Sequence, residues 1–259
     1  MTNKQKMFIP LETVDKRTKN FILFFWLLGF ILAWTYLVPE HSFFPNLPRV
    51  LSAWVEMWKA GLFYHIKATL LLTLAAISIC IVIASIIAYS SVIPILSPLS
   101  DLCTKFRFIP ITGFTLFISI STGGGIKMQI TLLVIFMAFY FISSLMSMIK
   151  DIPEEDFIRR RAERMTPWQI LWKVVIMDRL DFLVEAIRLN LSITFVMIVG
   201  VESMNKSRGG LGAMLTDNTR GLNFPKVFAL ALTILVIAFA LDFLLKKLFC
   251  SFPANKKTE

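Results

Sequence analysis

Ionisable side chains lie inside or beside several long apolar runs of this sequence. The four that concern us are Glu185, Arg188, Glu202 and Asp242. A charge in hydrocarbon is costly, so each is a candidate for a functional role, with an interfacial position or a helix-to-helix salt bridge as the alternative. We expect Asp242 to pair with Lys246, four residues later on a helix, and Arg188 to pair with Glu185 or to extend toward the membrane surface. For Glu202 both roles stay open.

The motifs of enzymatic catalysis are absent from the sequence. It contains no G-x-x-x-x-G-K-[ST] loop for ATP, no H-E-x-x-H zinc motif and no G-x-S-x-G nucleophile elbow. His41 and His65 are isolated, and no nucleophile–base pair can be assembled. We therefore predict no catalytic residue, no bound metal and no cofactor held by this chain.

The longest polar interval between the first and last apolar runs is DIPEEDFIRRRAERMTPWQILWKVVIMDR, residues 151–179. Asp151 and Glu154 have the spacing of a capping box, and Pro153 would fall in the first helical turn. A first short helix is expected to follow, with Phe157, Ile158, Ala162 and Met165 on its apolar face.

A second short helix is predicted to start at Thr166. This residue supplies a capping hydroxyl, Pro167 suits the first helical position, and Gln169 completes a capping box. The apolar face of this helix would consist of Ile170, Leu171, Val174 and Val175. Another protein could bind to such a hairpin. The alternative is an amphipathic hairpin that lies on anionic lipid headgroups.

The composition is that of an all-α, polytopic membrane protein. The 259 residues are 56% hydrophobic, and uncharged runs recur that approach the roughly 20 residues needed to cross a bilayer. A net charge of +10 would suggest a nucleic-acid partner in a soluble protein. Here the excess of Lys and Arg in cytoplasmic segments explains it, so we expect a lipid bilayer and no nucleic acid.

About six membrane-spanning helices are predicted. Their approximate bounds are 21–38, 68–93, 108–122, 128–149, 189–201 and 226–245. The third contains Pro110 and Gly113, and an amphipathic helix over 50–63 precedes the second. The fifth is too short to cross the bilayer alone. Its helix must either include residues 182–188 as well or end in a water-filled cavity.

The spans divide the chain into four parts. Residues 1–20 form a basic cytoplasmic tail, and 21–65 hold the first span and a periplasmic amphipathic segment. Residues 66–248 form the core with the hairpin, and 249–259 form a second cytoplasmic tail. Both termini are expected in the cytoplasm, because Lys and Arg are then concentrated on the inner side.

Three segments together resemble a known family. RMTPWQILWKVVI (164–176) looks like a cytoplasmic coupling loop with an E-A-A…G signature. IVGVE (198–202) followed by GGLG (209–212) is similar to a glutamate near the end of a fifth helix and its G-L-G turn, and AFALD (238–242) resembles an aspartate-bearing last helix. Over roughly 44–248 the chain resembles the membrane-spanning permease subunit of bacterial ABC importers, a type I importer fold, in the nitrate/sulfonate/taurine group.

The hairpin departs from the family pattern at its tip. The family's Glu-Ala-Ala falls near 158–160 of this chain, and its glycine falls near Arg164. That glycine can take a left-handed conformation at a helix end, where Arg would cost about 1 kcal/mol. Prolines that usually follow the second short helix are replaced by Met177 and Asp178.

The resemblance implies a non-enzymatic subunit of the bacterial inner membrane. It implies a homodimer, two cytoplasmic ATP-binding subunits that bind the ATP, and an extracytoplasmic substrate-binding protein. The solute would be a small nitrate-, sulfonate- or taurine-like anion, although related permeases carry neutral thiamine precursors. The residues it assigns to ATPase coupling are Glu155, Arg161, Ala162, Arg164, Met165, Thr166 and Trp168. Pathway or structural roles fall to Glu202, Asn190, Ser192, Thr194 and Asp242.

Two other functions stay open at this point. A self-sufficient channel or secondary transporter would be expected to show inverted repeats and paired charges at mid-membrane, and neither is found. A non-transporting membrane scaffold is compatible with the altered coupling signature.

Overall fold

The computed structural model describes residues 15–39, 43–206 and 208–250. Within these ranges the chain is helical and no strand is formed. Most of the predicted N-terminal tail (1–14) and nearly all of the predicted C-terminal tail (251–259) lie outside the described residues.

The described chain folds into eleven α-helices. In order they are α1 Lys16–Tyr36, α2 Leu47–Lys59, α3 Leu62–Ser90, α4 Ser97–Lys105, α5 Ile111–Thr122, α6 Gly125–Lys150, α7 Glu154–Ala162, α8 Pro167–Ile170, α9 Leu180–Met204, α10 Leu211–Arg220 and α11 Phe224–Cys250. A π-helical segment, Leu171–Ile176, and a 3-10 turn, Met177–Arg179, connect α8 to α9.

Helix α6 is the centre of the bundle. It packs against α3 and α9 and also contacts α4 and α5. The side of α3 in the core carries a stripe of small buried residues at a spacing of four, namely Ala76, Cys80, Ala84 and Ala88. Small side chains let two membrane helices approach closely, so this stripe explains the tight α3–α6 contact without any polar bond.

Four helices are long and apolar enough to cross a membrane, and six spans result if each of two bent pairs counts as one. The four are α1, α3, α6 and α11, which confirms the first, second, fourth and sixth predicted spans. The predicted amphipathic helix over 50–63 is divided, because α2 ends at Lys59 and Gly61 adopts a φ of +99° before α3 begins.

The third predicted span, 108–122, differs from the structure. Helix α5 has only 12 residues, about 18 Å of length, and Pro110 lies at its N-cap instead of inside it. The preceding segment, placed by prediction in a loop, forms α4 and meets α5 at an angle of 110°. The break falls at Ile109 and Pro110, both extended, because the residue before proline is disfavoured from helical geometry.

The helix of the fifth predicted span also includes the preceding residues 182–188, which was one of the two predicted alternatives. Helix α9 runs for 25 residues from Leu180 to Met204, long enough to cross. The span that includes it is bent by 46° near residue 192. The segment between the fifth and sixth predicted spans is not entirely loop, because α10 occupies 211–220.

Candidate functional site: a helical hairpin and a buried glutamate

The tip of the hairpin (residues 151–179) is a tight turn between α7 and α8. Arg164 adopts a φ of +57°, the left-handed conformation anticipated for this position. Its N–H donates to the carbonyl of Arg161 (3.0 Å), and the N–H of Met165 donates to the carbonyl of Arg160 (3.3 Å). These are the two bonds of a Schellman motif, which usually places glycine where Arg164 lies.

The two predicted helix starts have different outcomes. At Thr166 the capping box is present: the N–H of Thr166 donates to Oε1 of Gln169 (2.9 Å), and Gln169 N–H donates back to Oγ1 (3.4 Å). At Asp151 the prediction is wrong. The N–H of Asp151 donates to Ser147 O in the last turn of α6, and α7 begins after Pro153 without a side-chain cap.

The base of the hairpin is buried against the end of the bundle. Ile152, Ile170, Val174 and Val175 form an apolar cluster, with Tyr89 of α3 packed against it. Three of the four residues predicted for the apolar face of the second short helix are therefore buried, and the fourth, Leu171, is half-buried outside the cluster. On α7 the buried part of the apolar face is narrower than predicted, because Ile158 and Ala162 are exposed.

Ion pairs tie α7 to the 3-10 turn after α8. Arg179 contacts Asp156 at 2.8 Å, and Arg160 contacts both Asp178 (3.3 Å) and Glu163 (3.0 Å). The hydrogen bond from Arg160 lowers the pKa of the Glu163 carboxyl. Arg160 is half-buried by these contacts. The hairpin is thus stabilised by the Schellman turn at its tip, the apolar cluster at its base and the ion pairs along its side. These contacts fix the positions of its two arms relative to each other.

The outer face of the hairpin presents aromatic residues to its surroundings. Trp168 is 70% exposed and Trp172 is 61% exposed. Trp168 borders a groove of about 550 Å³ between α7, α8 and the segment 92–94, with Phe157 and Met165 in its walls. The other proposed coupling residues exposed here are Glu155, Arg161, Ala162, Arg164 and Thr166. An exposed apolar groove of this kind is typical of a contact site.

Glu202 lies at the other end of the core and is only 1% exposed. Its carboxylate accepts hydrogen bonds from Oγ1 of Thr69 (2.8 Å) and from the N–H of Gly212 (2.8 Å). The same threonine oxygen accepts from the N–H of Leu211 (2.9 Å). Glu202 therefore joins α9, α3 and the start of α10.

Two glycines make this arrangement possible. Gly210 has a φ of +112°, and a Cβ there would lie 2.3 Å from Oε1 of Glu202. A Cβ on Gly212 would lie 2.2 Å from the carbonyl oxygen of Val199. Both distances are shorter than van der Waals contact, so the GGLG segment is needed for α10 to dock. A structural role for Glu202 follows from these contacts.

The polar residues of α9 connect it to α6 and to itself. Nδ2 of Asn190 donates to Oγ of Ser144 (2.8 Å) and to the carbonyl of Ala186 (2.8 Å). Oγ1 of Thr194 donates to the carbonyl of Asn190 (2.9 Å). The bond from Asn190 to Ser144 holds α9 against α6 in an apolar medium, and the other two satisfy polar groups within α9. The side chain of Ser192 is outside the part of the chain that the structure describes.

Both predicted ion pairs near the membrane are present. Nε of Arg188 donates to Glu185 at 3.0 Å, and Lys246 contacts Asp242 at 3.3 Å. The charge of Asp242 is therefore balanced by an ion pair with a lysine of its own helix.

Sequence reasoning did not identify His65 and Thr69 as partners of this cluster. Nδ1 of His65 accepts the N–H of Gly210 (3.2 Å), and Thr69 reaches Glu202 across 133 residues of chain. A signal existed: His65, Thr69 and Thr73 follow one another at a spacing of four, which places three polar groups on one face of a mostly apolar helix.

A family model described as "Binding-protein-dependent transport system inner membrane component" matches residues 50–249, well over half of the chain. The match includes the hairpin, Glu202 and the GGLG segment, and it begins after α1. No curated protein sequence matches the chain significantly.

Proposed function

Since the chain belongs to the family of binding-protein-dependent transport system inner membrane components, we propose that it is a permease subunit that receives mechanical force from a separate ATPase through its hairpin. Members of this family are multi-pass, non-catalytic membrane components of ABC importers with the type I fold. The hydrolysis of ATP then belongs to a partner subunit.

One observation carries this proposal: the hairpin, whose arms are joined by ion pairs and by a buried apolar base, follows α6 and leads into α9 along the chain. Three residues separate its first arm from the end of α6, and its second arm continues through the π-helical segment and the 3-10 turn into α9. A π-helical turn often marks a functional position. Closure of an ATPase dimer against Trp168 would move both arms together, and this movement would be passed to the attached ends of α6 and α9.

The complete importer would be a homodimer of this chain with two ATP-binding subunits at the hairpins. A substrate-binding protein would dock on the opposite side, and both termini would lie in the cytoplasm of a bacterial cell. The solute we propose is a small nitrate-, sulfonate- or taurine-like anion.

The test is co-expression with an ATP-binding subunit encoded beside this chain, followed by purification and reconstitution. Trp168→Ala should weaken ATPase association at least tenfold, because a largely exposed tryptophan next to an apolar groove is typical of an interface hot spot. The matched control is Phe243→Ala, an exposed aromatic on α11. Equal association of both variants would refute the coupling role, and association without ATP-driven uptake would favour the scaffold alternative.

A further inference from the structure

A second concave site lies at the end of the bundle opposite the hairpin. It is a cavity of about 390 Å³ between the first turns of α3, the start of α6 and the segment 208–209. The two ends are distinct, because Lys67 lines this cavity near the N-terminus of α3, whereas Tyr89 at the C-terminal end of α3 packs against the base of the hairpin.

The charged groups that line this cavity differ in number and in availability to a ligand: two are cations and one is a carboxylate. Lys67 and Arg208 line it, both are exposed, and neither forms an ion pair with any residue that the structure describes. The one carboxylate in the lining is Glu202, whose oxygens already accept from Thr69 and Gly212. The cavity therefore contains two cations available to a ligand and one anion engaged within the fold.

The remaining walls are mostly apolar. Leu71, Ala75 and Ile130 also line the cavity, and the side-chain amide of Gln129 in its lining donates to the carbonyl of Asn205. The site thus combines a cationic rim with a hydrocarbon wall. Such a combination is complementary to a molecule with an anionic head and a short apolar part.

We propose that this cavity binds an organic oxyanion, with its sulfonate, carboxylate or phosphate head between Lys67 and Arg208 and its apolar part against Leu71, Ala75 and Ile130. A guanidinium can hold two oxygens of such a head at once, and an ammonium adds a point charge. Two sources share this chemistry, a free solute and the headgroup of an anionic lipid. The free-solute form rests on the proposed import function.

The experiment uses the full chain in nanodiscs of phosphatidylcholine, with butanesulfonate as the probe and calorimetry as the readout. The double variant Lys67→Gln/Arg208→Gln should lower the affinity for butanesulfonate at least tenfold, and Lys67→Arg should retain most of it. Lys127→Gln is the matched control, because Lys127 is an exposed cation on α6 that does not line the cavity. An unchanged affinity in the double variant, or an equal loss in the control, would overturn the proposal.

Nanodiscs of phosphatidylglycerol separate the two sources. If that lipid abolishes butanesulfonate binding and its own retention falls in the double variant, the natural ligand is a headgroup. If butanesulfonate binds equally in both lipids, it is a free solute. The assay contains no ATPase, so loss of binding here and loss of coupling in the Trp168→Ala test are separate failures.

Discussion

At the scale of single residues, the hairpin tip contains a measurable strain. Arg164 has a left-handed backbone that L-residues with a side chain adopt at a cost of about 1 kcal/mol. We predict that Arg164→Gly protects the amide of Met165 by up to about fivefold in hydrogen exchange, since that amide closes the Schellman turn. Glycine is also more flexible in the unfolded chain, which limits the gain to about 1 kcal/mol.

The control for this prediction is Arg161→Gly, three residues earlier and inside α7. Glycine within a helix destabilises by about 1 kcal/mol, so the same amide should exchange faster in this variant. Faster exchange in both variants would show that the conformation of Arg164 is not the source of the strain.

The glycines around Glu202 give a second prediction at this scale. Gly212→Ala should destabilise the protein by about 3 kcal/mol, because the new Cβ would meet the carbonyl of Val199 in backbone that cannot yield cheaply. Gly113→Ala is the matched substitution, since a Cβ there meets nothing within 4 Å. Thermal unfolding in detergent should separate the two, and similar midpoints would contradict the close packing of α10 on α9.

Local chemistry decided which residue roles could be predicted. The cap at Thr166 depends on neighbours within a few positions, so the sequence was sufficient for it, and the left-handed backbone of Arg164 was expected from the glycine of the resembling family. The partners of Glu202 could not be predicted, because Thr69 lies 133 residues away and only the packing of α3 against α9 brings them together. At Asp151 the capping pattern was misleading, since this residue is the C-cap of α6 and its N–H donates back to the carbonyl of Ser147 in that helix.

At the scale of elements, the hairpin depends on its buried base. Val175 is 1% exposed in a cluster that joins α8 to the ends of α3 and α6. Val175→Ala removes buried methyl groups and should cost about 2 kcal/mol locally. We predict that solute uptake per ATP hydrolysed falls while ATPase association persists, because the loosened hairpin no longer transmits its movement.

The control is Val236→Ala, the same change on the exposed surface of α11. Uptake per ATP should remain at the wild-type value in this variant. Loss of ATPase association in Val175→Ala would instead indicate that the cluster shapes the binding surface itself.

Span prediction succeeded where apolar length alone decides, as for α3, α6 and α11. It was wrong at the third span because Pro110 starts α5 instead of lying within it. The charges at Glu185 and Arg188 made the fifth span look too short, but the two neutralise each other on one face of α9 and so allow the helix to continue.

At the scale of the whole molecule, the two proposed sites lie at opposite ends of the same helices. The hairpin connects α6 to α9 at one end, and the cationic cavity lies near Lys67 and Ile126 at the other. Because α6 packs on both α3 and α9, a displacement at the hairpin changes helix contacts that also border the cavity. The fold thus gives a continuous physical connection between the hairpin and the cationic cavity, the two sites proposed for an ATPase and for a solute.

The last prediction concerns the side of the membrane on which the hairpin lies. A cysteine introduced as Trp168→Cys should react with an impermeant maleimide only in inverted vesicles, and Phe63→Cys only from the outside of intact cells. Both positions are exposed and belong to opposite ends of the bundle, so each serves as the control for the other. Cys103 and Cys250 are first replaced by serine to remove background reaction, while Cys80 is buried and can remain. Labelling of the cysteine at 168 from outside would remove the hairpin from the reach of any cytoplasmic ATPase, and with it the proposed mechanism.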